Sequence, residues 1–157
     1  MKARVQEEVT SDQTTLAKWR AQMDAVERRD WDGAVACFAP DCEWRLITTG
    51  IALRGLDEIK AFLQRGFEAS EREPPEVRSE FATKEFGVFE YTSRGIANER
   101  ADDFVTRISE GASAVTDVVS VGRRFEIHVC FVYHLDTDGL IDRVNEYIAM
   151  PALMVAS

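Results

Sequence analysis

An α+β fold is expected for this chain of 157 residues, from two features. The N-terminal half carries apolar residues at helical spacing, interrupted by Pro and Asp breakers. The C-terminal half alternates apolar and polar residues, which is the period of strands with one buried face. Together they predict three N-terminal helices followed by a mainly antiparallel sheet.

The first helix is expected from Ser11, after an N-terminal stretch (1–11) expected to fray. Leu16, Trp19, Met23 and Val26 form one apolar stripe, and Arg28, Arg29 and Asp30 end it. A short second helix from Trp31 to about Phe38 turns Ala34 and Phe38 inward and stops at Ala39-Pro40-Asp41. Residues 41–48 alternate as a strand, with Cys42, Trp44 and Leu46 on one side and Glu43 and Arg45 on the other. A third helix follows Gly55 and buries Leu56, Ile59, Phe62, Leu63 and Phe67 until Glu73-Pro74-Pro75-Glu76 breaks it. Strands are expected over 77–85, 88–97, 122–135 and 140–149.

The last two strands are the most regular. Phe125, Ile127, Val129, Phe131, Tyr133 and Leu135 alternate with Glu126, His128, Cys130, Val132 and His134. Asp136-Thr137-Asp138-Gly139 then supplies a residue tolerant of positive φ for a hairpin turn. Pairing Leu135 with Leu140 sets Val129 opposite Glu146 and Phe131 opposite Val144. Glu146 then shares the apolar face with Leu140, Val144, Ile148 and Met150. Residues 98–121 keep approximate helical spacing at Phe104, Ile108, Ala112 and Val115 and are read as an insertion with a short helix, a candidate lid and equally a dimer arm or a loose loop.

Composition limits the function classes. With 45% hydrophobic and 30% charged residues the chain is ordinary for one globular domain spanning 1–157. No stretch approaches the roughly 18 unbroken apolar residues of a membrane helix, and the polar start MKARVQEEVTSDQTT lacks the apolar region of a signal peptide, so a cytoplasmic protein is expected. A net charge of −9, with Arg123–Arg124 as the nearest approach to a basic patch, argues against nucleic acid and anionic membranes as partners. The three cysteines, Cys37, Cys42 and Cys130, are scattered and read as reduced, buried thiols. A metal site would need Cys37, Cys42 and His128 together, and none is expected. No phosphate loop or nucleophile–histidine–acid order is present, and no cofactor is expected.

The segments RRDWDGAVACFAPDCEW (28–44), RGLDEIKAFL (54–63), VFEYTSRG (88–95) and GRRFEIHVCFVYHLDTDGLIDRVNEYI (122–148) resemble, in order and spacing, the SnoaL-like branch of the nuclear-transport-factor-2-like superfamily. The likeness spans about residues 15–150, apart from 98–121. It implies helices on a strongly curved sheet, a cone-shaped pocket between them, and commonly a homodimer through the outer sheet face. Relatives include polyketide cyclases, steroid isomerases, limonene epoxide hydrolases, dehydratases and non-catalytic binders, so the fold alone selects no activity.

The steroid-isomerase base and acid positions fall at Leu46 and Phe131, and the helix-one tyrosine at about Gln22, so that machinery is missing. The epoxide-hydrolase relay keeps one member, Glu146; its other carboxyl and arginine positions fall at Ser93 and Gly95, and its water-holding pair at Trp44 and Leu46. Glu146 is therefore the candidate catalytic residue, a carboxyl whose desolvation would raise its pKa into acid–base range. The alternative is a glutamate at the cavity mouth, solvated or paired with arginine.

Tyr91, Ser93 and Tyr133 are candidate ligand hydrogen-bonders, or edge-of-core side chains. Trp19, Met23, Trp44 and Phe62, with Val129 and Phe131 on the sheet, are candidate pocket wall or plain core. His128 and His134 are expected outward, across from Tyr147 and Ile141, at a dimer interface. Two functions remain open: acid–base chemistry on a hydrophobic cyclic molecule (cyclisation, isomerisation, dehydration or epoxide opening), or a non-catalytic binding or dimerisation module.

Overall fold

The computed structural model describes residues 10–101, 122 and 124–149. Three helices, α1 (Gln13–Glu27), α2 (Trp31–Val35) and α3 (Gly55–Glu68), pack on a curved, unclosed seven-stranded sheet. The strands are β1 (Phe38–Leu46), β2 (Ile51–Arg54), β3 (Ser70–Arg72), β4 (Glu76–Ala82), β5 (Phe86–Ala97), β6 (Arg124–Leu135) and β7 (Ile141–Ala149). Their order is β2-β1-β7-β6-β5-β3, with β4 also on β5. The α+β expectation and the curved sheet hold. The expected helix within 98–121, its lid role and Met150 lie outside the described residues, apart from 98–101.

The helix starts follow from local chemistry. Asp12 caps α1 by accepting the Thr15 amide at 2.9 Å, and Asp30 caps α2 by accepting that of Gly33 at 3.0 Å. Helix α2 is shorter than expected. It ends at Val35, because Cys37 and Phe38 are captured by the sheet: the Ile141 amide donates to the Cys37 carbonyl at 2.9 Å, and Phe38 pairs with Ile141. Phe38 is buried in either conformation, so its spacing from Ala34 could not separate a helix from a strand. Pro40 lies within β1, in the irregular stretch where the register shifts between Phe38 and Glu43, a place where a missing N–H is tolerated.

Two strands escaped the sequence patterns. β2 has four residues and β3 three, too few for alternation to register. β2 returns along β1 through a turn at Gly50, whose φ is 77°.

The β6–β7 hairpin differs from the expected register by two residues. Asp136 and Leu140 close the turn, the Asp136 amide donating to the Leu140 carbonyl at 2.8 Å, and a bulge falls between His134 and Leu135. Phe131 therefore faces Glu146, Tyr133 faces Val144, Val129 faces Ile148, and His128 and His134 face Ala149 and Arg143. Each irregularity shifts the pairing by one. Two shifts restore parity, so every side chain keeps its expected face.

The core centres on Trp19, fully buried on α1. Its ring stacks on Tyr133 with centroids 4.6 Å apart and planes at 10°, and it also meets Phe38, Trp44, Phe89 and Phe131. Gly87 lies opposite Tyr133 in β5, and a Cβ there would fall 2.1 Å from the tyrosine ring. The absence of a side chain at 87 is what gives the Tyr133 ring its place beneath Trp19.

Candidate functional site

The concave face of the sheet and the helices bound a cavity of about 110 Å³. Helices α1 and α3 supply Gln22, Met23, Phe62 and Phe67, β1 supplies Trp44 and Leu46, and β5, β6 and β7 supply Tyr91, Ser93, Ile127, Val129, Phe131, Glu146 and Ile148. Strand parity explains the set: from each of these strands, residues two apart face the helices.

Glu146 is 7% exposed and is the sole buried ionisable carboxyl among the described residues. The Trp44 indole N–H donates to its Oε2 at 2.7 Å, and Oε1 has no partner among those residues. Glu146 is thus neither solvated at a cavity mouth nor ion-paired with an arginine among the described residues, and its contact is with Trp44. The pair forms because β1 and β7 run parallel, with Leu46 opposite Glu146 and Trp44 opposite Val144, so Trp44 and Glu146 share a face. Burial pushes the Glu146 carboxyl up to about 7, against the Trp44 hydrogen bond and the positive charge of Arg72, both of which favour the anion.

Arg72 borders the cavity from β3. Its guanidinium donates to the Gly66 carbonyl at 2.7 Å and to Ser70 Oγ at 3.1 Å, and lies 5.7 Å from the centre of the Phe67 ring. It forms no ion pair among the described residues. Glu27 and Glu73 border the cavity from exposed positions. Desolvation raises the Glu27 carboxyl, with Arg72 opposing. The cavity thus runs from a wetter, charged rim to a buried carboxyl.

Of the ligand-contact candidates, Met23, Trp44, Phe62, Tyr91, Ser93, Val129 and Phe131 line this space. Trp19 and Tyr133 do not; they stack on each other within the core. The Tyr91 and Ser93 hydroxyls border the cavity without a hydrogen bond among the described residues, and burial pushes the Tyr91 phenol up to about 12. Gln22 and Arg72 were not singled out as site residues. The signal for Gln22 was its place three residues after Trp19, on the stripe that enters the core. Nothing local marked Arg72, whose strand is three residues long. Cys37, Cys42 and His128 are not brought together, and no group of three metal-ligating side chains occurs among the described residues. His128 lies on the outer face, bonded to Thr92 Oγ1 at 2.9 Å.

The sequence profile of the SnoaL-like domain matches residues 19–144. The chain belongs to the SnoaL-like family. No curated protein matches it. Among solved structures of similar fold is a protein designated a polyketide cyclase from Xanthomonas campestris, 23% identical, with 86% of this chain covering 90% of that one at a TM-score of 0.63. An epoxide hydrolase of the limonene-epoxide-hydrolase type from Mycobacterium tuberculosis is 18% identical, with 86% and 82% covered and a TM-score of 0.60. A protein designated a ketosteroid isomerase from Kribbella flavida is 16% identical, with 95% and 88% covered and a TM-score of 0.60. At these identities the likeness is one of fold. In this SnoaL-like chain, Gln22, Trp44, Leu46, Ser93, Phe131 and Glu146, the positions to which the resemblance assigned the relatives' chemistries, all line this cavity, and Gly95 does not. No helix among the described residues is long and apolar enough to cross a membrane.

Proposed function

We propose that this cavity binds a small hydrophobic ring compound and that Glu146 moves a proton on it. The observation that carries the reading is a buried carboxyl near pKa 7, oriented through Oε2 by Trp44 and open at Oε1. A group poised near neutrality is populated in both forms and serves as base and then as acid. One such group suffices where a proton is taken and returned, as in isomerisation or carbon–carbon cyclisation. The small volume, against roughly 300–1,000 Å³ for pockets that hold drug-sized ligands, favours a single-ring molecule. Its three free cysteines suit a reducing, cytoplasmic setting.

The test is hydrogen–deuterium exchange at the carbons beside the carbonyl of cyclohexanone and cyclohexenone in D2O, followed by NMR. The wild-type protein is expected to accelerate exchange, with a rate that falls as pH drops through about 7 and protonates the base. Glu146→Gln is expected to abolish the acceleration. Equal rates in both proteins would remove Glu146 as the proton carrier. The second reading, a binder without turnover, is favoured by Glu146 having no second buried carboxyl beside it among the described residues. Binding of these ketones with no acceleration would establish that reading instead.

The outer face of the sheet is proposed to meet a second copy of the chain. No described helix packs on that side, and Tyr147 is 44% exposed there. Tyr147→Asp is expected to halve the mass seen by light scattering, and an unchanged mass would place the contact elsewhere.

A further inference from the structure

Gln22 sits on α1, is 2% exposed, and borders the cavity. Its Oε1 is sealed from water and has no hydrogen-bond partner, and its Nε2 makes no hydrogen bond among the described residues. A carboxamide offers one acceptor and two donors. Buried amides are ordinarily paired, and one left unpaired in an apolar wall is destabilising. Its helical neighbours Trp19, Met23 and Val26 make no hydrogen bond to it, and the lining of the same cavity includes Trp44, Tyr91 and Phe131. The Glu146 carboxyl, by contrast, is already engaged by Trp44.

We propose that Gln22 determines which molecules the cavity accepts, its carboxamide pairing with an uncharged oxygen, a ketone or a hydroxyl, on a small apolar ring. The assignment rests on the cavity being a ligand site and is independent of proton transfer by Glu146. A neutral amide in an apolar wall suits a neutral partner, because an ionised ligand group beside it would be desolvated without compensation. A carbonyl accepts from the amide nitrogen, and the oxygen of a hydroxyl can do the same. A hydrocarbon of the same shape leaves the amide unpaired. Sites built to hydrogen-bond an oxygen reject the analogue that lacks it far more strongly than they sense an added methylene.

Cyclohexanone and methylenecyclohexane have nearly the same shape and differ in the oxygen. Their affinities, measured by ligand-observed NMR titration against the wild-type protein, Gln22→Met and Glu146→Gln, test the assignment. The wild-type protein is expected to prefer the ketone by roughly tenfold, the value of one net hydrogen bond. Gln22→Met, which keeps the unbranched length, is expected to bring the ratio close to one while hydrocarbon binding persists. Glu146→Gln is expected to preserve the preference. A Gln22→Met protein that retains the tenfold ratio overturns the proposal. So does a wild-type protein that binds both probes equally, which would mean that water alone serves the amide, or a preference lost only in Glu146→Gln. Failure of the wild-type protein to bind either probe would instead remove the small-molecule reading itself, and this assignment with it. Folding does not confound the comparison: without probe, Gln22→Met is expected to melt at or above the wild-type temperature, having lost an unpaired buried amide.

Discussion

Glu146→Gln is expected to be more stable than the wild-type protein above neutral pH and equal to it in acid. The folded carboxyl has a pKa of about 7 against a reference of 4.5, so between these values the folded state holds a proton that the unfolded state releases. Stability from this group is fully present below about 4.5 and is lost as pH rises through about 7. At 1.36 kcal/mol per pKa unit the loss amounts to about 3 kcal/mol in alkali. Glutamine keeps an oxygen to accept from Trp44 and never ionises, so it escapes the loss. Urea unfolding at pH 5, 6, 8 and 9 measures the gap between the two proteins. A gap that does not change with pH would mean that the carboxylate is solvated, and the acid–base reading would fall with it.

Trp19→Ala is expected to cost about 3–5 kcal/mol, the range for removing a large buried aromatic. Trp19 is fully buried and contacts the rings of Phe38, Trp44, Phe89, Phe131 and Tyr133. Its loss would leave a void between α1 and the sheet that backbone-anchored rings cannot close. Trp19→Phe is expected to cost much less, since the ring remains and the indole N–H, which has no partner, disappears. Because Trp19 lies outside the cavity lining, cyclohexanone affinity in Trp19→Phe should match the wild type. Loss of ketone binding in that variant would return Trp19 to the site, while a wild-type unfolding midpoint in Trp19→Ala would remove it as the hub of the core.

Which face each residue takes was legible wherever a period ran long enough. The stripe on α1 and the twelve-residue alternation of β6 survive in the structure, and the apolar face of α3 packs on the core with Ile59 buried and Leu56, Phe62, Leu63 and Phe67 half-buried. The placement of Glu146 on the inner face survived an error of two in the hairpin register, because a two-residue slip preserves parity. Elements of three or four residues, β2 and β3, carry no period and were missed, and with β3 went Arg72.

The α+β class, the apolar inner face and the presence of one carboxyl upon it follow from side-chain period and turn chemistry, which are local properties of the chain. Who meets whom depends on long-range packing. Trp44 and Glu146 are 102 residues apart and touch because the strands that carry them run side by side in parallel. The same long-range packing set Trp19 and Tyr133 behind the cavity wall and Gln22 into it, although Trp19 and Gln22 share one helix face. Curvature of the sheet and the approach of α1 and α3 fix that boundary, and neither is written in any local stretch of residues.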